Sequence, residues 1–369
     1  MAHRNIYRLT QAAANILSWL FVFAYLANTH DVRYAFSVTV ALYALTQLVI
    51  AVFTPFSARL LRHGVRRLLM NAMLAGATAY FVLTAALAEL LPNPLYGFIA
   101  FAILLGVQRA LYWLPYESEK AEVGGGRSSW FEIILIFTLL AAGLAVTQWP
   151  YAGPIWLIAS AGALVAVSAL PLVGLPDTAE RYIWKHRKIY FSFISAEHSA
   201  LMNRSALEGV FGGALLLLWP LAVFTILQSY AVLSVVFAVI FFVAIFFRSP
   251  IRRFLRHIAS ASPYLGIAVV VAPWLMRLAV SGPLGVIVVD SFFYTTTPKK
   301  LGIDPVVFDQ TADAGYYVDE FSVLKEVGLA FGRFGIALIA AGAAYLLSVP
   351  AALLITFVLA GIISIRVAR

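Results

Sequence analysis

Six ionisable side chains, Arg109, Glu208, Arg277, Asp290, Glu326 and Arg333, stand inside stretches of sequence that are otherwise apolar. If such stretches cross a lipid bilayer, an ionised group near its centre costs at least about 2.5–3.5 kcal/mol unless it is paired or faces water. A side chain kept at that cost holds another charge, binds a polar solute or carries a proton. Each of the six therefore has two readings, a structural ion pair or part of a solute path, and depth separates them coarsely. At about 1.5 Å per residue, Asp290 lies about 10 Å from one end of its helix, and Arg333, on an antiparallel neighbour, reaches about the same level. Arg333 is thus the expected partner of Asp290, with Arg277, about 5 Å from the same face, as second choice. Unpaired, Asp290 could carry a coupling proton; paired, it would mainly fix helix packing. Glu326 and Arg109 both lie about 10 Å from the opposite face, so Arg109 is expected to contact either a solute or Glu326.

The elements that must position these groups are helices. Of the 369 residues, 62% are hydrophobic and only 12% charged, a balance no soluble domain of this size could cover with polar surface. Apolar runs of about 20 residues, enough to cross a hydrocarbon core about 30 Å thick, recur along the chain. Helices are required because no water is available in lipid to satisfy the backbone. The expected first six cover residues 9–28, 34–53, 68–90, 94–116, 130–148 and 152–173, and the second six cover 205–227, 230–247, 263–280, 283–297, 319–347 and 350–365. Turns such as Leu91-Pro92-Asn93-Pro94 and Ser281-Gly282-Pro283 separate them. The first apolar run, 12–27, lacks a small-residue cleavage site and is read as a helix rather than a removable leader. The expected fold class is all-α: a polytopic membrane protein of about twelve transmembrane helices in two six-helix pseudo-repeats. Its expected parts are an N-terminal bundle (1–173), a cytoplasmic amphipathic linker (174–204) and a C-terminal bundle (205–369).

The net charge of +9 has a topological origin. Even-numbered connections carry the cations, among them Arg59, Arg62, Arg66, Arg67, Lys120, Arg127, Arg181, Lys185, Arg248, Arg253, Arg256, Lys299 and Lys300, whereas the odd connections hold Arg33 alone. This asymmetry puts both termini and every even connection in the cytoplasm, and the expected location is a prokaryotic cytoplasmic membrane. A nucleic-acid partner would need a soluble basic face with interleaved aromatics, which the pattern does not offer. With no cysteine, disulfides, thiolate metal sites and thiol catalysis are excluded. Asp304, Asp309, Asp313 and Asp319 lack calcium-loop spacing, and Gly124-Gly125-Gly126 lacks the context of a phosphate loop. No cofactor and no metal are expected.

The segment Ser57-Ala58-Arg59-Leu60-Leu61-Arg62-His63-Gly64-Val65-Arg66-Arg67 resembles the loop between the second and third helices of major facilitator superfamily transporters. Arg62, Gly64 and Arg66 match that pattern in register; Ser57, Leu61 and Val65 replace its glycine, aspartate and first basic residue, so the acidic partner of the usual latch is missing. Arg253-Phe254-Leu255-Arg256-His257 looks like the degenerate copy expected in the second half. Arg59, Arg62, Gly64, Arg66, Arg67, Arg253 and Arg256 form the expected gating loops, since charged connectors at helix ends can bias one packing of the halves over another.

The resemblance implies a monomeric secondary transporter that moves a small solute by alternating access, with a proton or ion as coupling partner and the lipid bilayer as surroundings. It also implies that the first, fourth, seventh and tenth helices line a central cavity, which nominates Arg109, Glu208 and Asp290. The first helix adds Gln11, Asn15, Trp19 and Tyr25, spaced to share one broad face; Glu326 and Arg333 complete the substrate or coupling candidates. No catalytic residue and no enzymatic activity are expected. Two other classes stay open: a membrane-embedded enzyme acting on lipid intermediates, and a nontransporting scaffold or receptor. The repeat and the intramembrane charges of both signs favour transport.

Overall fold

The structure, a computed structural model, describes residues 2–123, 129–174, 186–193, 195, 198–261, 263–296, 303–304, 309–310 and 318–368. Gly124-Gly125-Gly126, Arg127, Arg181, Lys185, Lys299, Lys300 and Asp313 fall outside the described residues. Twelve long helices follow one another: α1 (Ala2–Thr29), α2 (Val32–Leu60), α3 (Val65–Leu87), α4 (Pro94–Val123), α5 (Ser129–Gln148) and α6 (Ala152–Ser168). A short helix, His186–Phe191, then precedes α7 (Ser199–Leu227), α8 (Tyr230–Ala261), α9 (Pro263–Arg277), α10 (Pro283–Thr296), α11 (Val318–Leu346) and α12 (Val349–Ala368). Among the described residues nine of these are long and apolar enough to cross a membrane; α5, α9 and α10 are apolar but shorter there. The one addition to the all-α expectation is a two-residue antiparallel pairing, Ile303 with Gln310 and Asp304 with Asp309, between α10 and α11.

Several helices outrun their apolar cores. Hydropathy ends a segment where charges begin, but the backbone ladder continues through polar residues once they leave the hydrocarbon. Thus α1 starts at Ala2, with His3 Nδ1 2.6 Å from the Ser168 carbonyl oxygen and Arg8 over the Phe131 ring. Helix α2 runs through Pro55 to Leu60, and α8 passes Pro250 to reach Ala261. Arg59, Arg253 and Arg256 therefore ride on helices, not in connectors as expected, and the α2–α3 connection shrinks to a single 3₁₀ turn, Leu61–His63, and Gly64. Gly64 has φ 113°, a conformation glycine adopts without steric cost. Helix α7 also begins inside the expected linker, at Ser199.

The halves meet along α2 with α11 and α5 with α8. At the face opposite the chain termini, aromatic rings close the gap between α1 and the α7–α8 corner: Phe21 lies 5.3 Å from Tyr230 of α8 and Phe23 6.3 Å from Phe224 of α7. Nearer the terminal face, Ile50 and Ala51 of α2 pack on Ala330 and Phe331 of α11. The short helix lies over that junction, where Tyr190 donates to the Ala51 carbonyl oxygen at 3.2 Å and Phe193 sits edge-on to Phe331.

Within the second half, α7 and α11 approach through glycines at four-residue spacing, Gly209 and Gly213 on one, Gly328 and Gly332 on the other. Between lipid-embedded helices apolar burial supplies little drive, so close backbone contact through small residues takes over. A Cβ at Gly209 would stand 2.2 Å from the Leu329 carbonyl oxygen, and one at Gly332 1.9 Å from that of Ala206. Gly332→Ala is expected to destabilise the protein by about 1–3 kcal/mol, the cost of overpacking. Gly335→Ala, where a Cβ meets nothing within 4 Å, should leave stability unchanged. Thermal unfolding of the solubilised protein compares the two, and equal melting temperatures would show that α7 and α11 are not held this closely.

Candidate functional site

A polar cluster forms where α1, α2, α3, α4 and α11 converge. Tyr7, Gln11 and Asn15 recur every four residues on α1, which puts them on one helical face. Each finds a partner on the neighbouring first-half helices. Gln108 donates to the Tyr7 hydroxyl at 2.8 Å, Gln11 hydrogen-bonds Tyr80, and the Arg109 guanidinium donates to Asn15 Oδ1 at 2.6 Å. One turn further, Trp19 sets its ring edge-on to Tyr43 of α2, 5.6 Å between centroids. From the second half Arg333 enters, 5% exposed, its Nε passing 3.6 Å from where a Cβ on Gly212 would stand. Arg109 repels it electrostatically, while Glu326 and Tyr43 are its other charged or ionisable neighbours.

Many polar atoms here have no hydrogen-bond partner among the described residues. They are Nε and Nη2 of Arg333, the Tyr43 hydroxyl, both amide atoms of Gln47 and Nε1 of Trp19. Gln47 is fully buried, one turn from Tyr43 on α2. An unsatisfied buried polar group costs about 1–3 kcal/mol, and more when charged. Nε and Nη1 of Arg277 and Nε1 of Trp274 also lack hydrogen-bond partners, but only the Arg333 group gathers such atoms from both halves among the described residues.

The second constellation is closed. Arg277 Nη2 donates to Asp290 Oδ1 at 2.8 Å, with both side chains at 0% exposure, and Trp219 Nε1 donates to Asp290 Oδ2 at 2.7 Å. The guanidinium faces the rings of Trp274, Phe293 and Trp219 at 4.4, 4.5 and 5.0 Å, and attraction to these ring faces offsets part of its desolvation. Local geometry of α7 aims Trp219. Residues Ala214–Leu218 form a π-helical turn, closed by the Trp219 N–H to the Ala214 carbonyl, and Pro220 follows directly. Proline has no N–H and crowds the carbonyl four residues back, which the wider turn accommodates. The expected Asp290–Arg333 pair does not form: Asp290 is held by Arg277 of α9 and Trp219 of α7, whereas Arg333 lies beside Gly212 of α7 with Tyr43, Glu326 and Arg109 as its ionisable neighbours.

The remaining candidates disperse. Tyr25 donates to Glu89 Oε1 at 3.0 Å at the exposed α3–α4 turn, away from the cluster. Glu208 pairs with Arg204 one turn earlier on α7 at 3.2 Å. Glu326 is buried on α11, two turns before Arg333. In the basic connection Arg62 Nε donates to His63 Nε2 at 3.0 Å, and Arg66 donates to the Val173 carbonyl at 3.3 Å, tying α3 to the end of the sixth helical segment in the same half. Sequence reasoning missed Tyr7, Tyr43, Gln47, Tyr80 and Gln108; their polar atoms at helical spacing in apolar runs were the available signal. A groove of about 590 Å³ at the α9–α10 turn contains no ionisable side chain and is not part of the site. Among the described residues no cluster of His, Asp and Glu could hold a metal ion.

No family model and no curated sequence matches the chain. Its fold, however, matches solved transporters over its full length. A mutant of the nucleoside transporter NupG superposes with a TM-score of 0.62 at 11% identity, covering 100% of this chain and 99% of that one. The structure of tetrameric PepTSo2 gives 0.57 at 13%, covering 100% and 95%, and the human organic anion transporter MFSD10 gives 0.54 at 13%, covering 100% and 97%. The chain shares the fold of these solved transporters over its full length.

Because Arg277 and Asp290 bury each other, removing one strands the other's charge, at about 3–5 kcal/mol. Asp290→Asn is expected to destabilise the fold by that amount, read as a lower folded yield and melting temperature, and the double variant with Arg277→Gln to regain part of it. Arg333→Gln should give no rescue, and rescue by it instead would show that Asp290 looks toward α11.

Proposed function

We propose that this protein is a secondary transporter whose two six-helix halves alternate access to a small solute held at the polar cluster between them. The observation that carries the proposal is the set of buried, unsatisfied polar atoms on Arg333, Tyr43, Gln47 and Trp19 at the junction of the halves. A scaffold would gain nothing from leaving them unpaired, and a solute that pairs them only transiently recovers their cost. Arg109 binds the solute in this scheme; Asn15 orients its guanidinium. Asp290, caged with Arg277, fixes the packing of α7, α9 and α10 rather than carrying a proton.

The first half comprises 1–173. The second, formally 205–369, gains the first turns of α7 back to Ser199. The terminal face is cytoplasmic by the distribution of Lys and Arg, in a prokaryotic cytoplasmic membrane. Aromatic contacts of α1 with Phe224 of α7 and Tyr230 of α8 hold the opposite face shut. The short helix over the α2–α11 junction and the arginines at 62 and 66 bias which state is populated. Energy comes from a proton or ion gradient or from the solute itself.

Uptake into proteoliposomes, against a solute panel with and without an imposed pH gradient, tests transport directly; no uptake of any solute in either condition would count against it. Arg109→Leu should cut uptake by about tenfold or more, the worth of a charged hydrogen bond, while leaving folded yield intact. Full activity in that variant would remove Arg109 from the mechanism. For the topology, a cysteine at Lys188, exposed in the short helix, should be labelled by impermeant reagents from the cytoplasmic side alone. Labelling from outside in intact cells would reverse the orientation.

A further inference from the structure

The unsatisfied atoms of the cluster are nearly all donors. Arg333 offers Nε–H and Nη2–H, Tyr43 its hydroxyl, Gln47 an amide NH₂ and Trp19 its indole N–H; the acceptors that need no donation in return are two, Gln47 Oε1 and Gln108 Oε1. Two guanidinium groups, from α4 of one half and α11 of the other, act on each other and on the same Tyr43. Like charges in a site 5% exposed at Arg333 repel each other, although burial, Tyr43 and Glu326 each act on Arg333 more than Arg109 does. Glu326, two turns along α11, offsets one of the two charges, and the trio then carries one net positive charge. The complement of several inward-pointing donors and one surplus positive charge is a small oxyanion.

We infer that the solute is an organic anion whose carboxylate or phosphate group bridges Arg109 of the first half and Arg333 of the second. This rests on the transport proposal for where the anion goes, but not for whether it binds. A planar guanidinium presents paired N–H groups that match the two oxygens of such a group, and charge-assisted bonds of this kind are roughly twice as strong as neutral ones. Tyr43 and Gln47 supply further donors from α2, so the oxyanion touches both halves at once. Without it the two cations push the halves apart at their junction; with it they draw together. The same feature makes Arg333 costly to the empty protein, the pattern of a residue retained for binding rather than for stability.

The test reads binding by thermal unfolding of the full-length protein in detergent at constant ionic strength. Sodium benzoate, succinate and glycerol phosphate are compared with benzamide, succinamide and glycerol, and phosphatidylglycerol is added to the micelle in a separate arm. At least one anion should raise the melting temperature by about 5 °C at saturation while its neutral counterpart does not. Arg333→Gln should melt no lower than the native protein in the absence of anion, and should lose the anion-dependent rise. Arg333→Lys, which keeps the charge without the fork, should need about tenfold more anion for the same rise. No stabilisation by any of the three anions, stabilisation that survives Arg333→Gln, or stabilisation by the lipid alone would each overturn the assignment. Uptake of the labelled anion separates the two proposals: binding without uptake leaves this site standing and removes transport, and uptake of a neutral solute without anion binding does the reverse.

Discussion

In a hydrocarbon slab every polar group must find its partner inside the protein, and that single constraint organises this molecule. The backbone meets it by remaining helical in every spanning segment. Threonine hydroxyls meet it by returning to carbonyls one turn back, as Thr39 and Thr356 do. The buried charge of Asp290 meets it through Arg277 and Trp219, with aromatic faces covering what hydrogen bonds leave over. Against this background Arg333, Tyr43, Gln47 and Trp19 stand out because their unpartnered atoms gather where the halves meet, whereas those of Arg277 face aromatic rings. Gly209 and Gly332 bring α7 and α11 into backbone contact on either side of Gly212 and Arg333, so the arginine has no freedom to retreat to the surface. It is placed at the junction, and its desolvation is a property of the fold.

Much of the architecture was legible in the sequence, because hydropathy reports the same quantity that decides which segments enter lipid. All twelve helices fall where apolar runs predict them. Their ends do not, since composition marks the edge of the hydrocarbon whereas helix length is set by backbone hydrogen bonding. The segment around Arg253 shows the difference: its charges read as a connector, yet the ladder of α8 runs on to Ala261.

The site was legible in part. Depth along a helix can be counted from sequence, and it named Arg277, the second choice, as a partner within reach of Asp290, where the structure pairs them. Azimuth could not be counted, because it depends on which neighbours each helix acquires. Arg277 closes α9 just across a short turn from α10 and reaches Asp290, while Arg333 turns toward the other half. Likewise Gln11 and Asn15 face the cluster, but Tyr25, taken as part of the same face, has rotated and climbed to the α3–α4 turn. Tyr43 and Gln47 were overlooked because a neutral polar residue in an apolar run costs far less than a charge and draws less attention.

The caged Arg277 also gives the second half a mechanical character. With α7, α9, α10 and α12 locked around one guanidinium and interleaved rings of Phe211, Trp274 and Phe357, that end of the half resists bending. A stiff block transmits motion as a lever does. If it pivots on the aromatic contacts of α1 with Phe224 and Tyr230, a rotation of about 15°, the scale of known rigid-body switches, sweeps an arc of about 8 Å at the far side of a layer about 30 Å thick. Stiffness at one end of the lever thus sets the width of the doorway at the other.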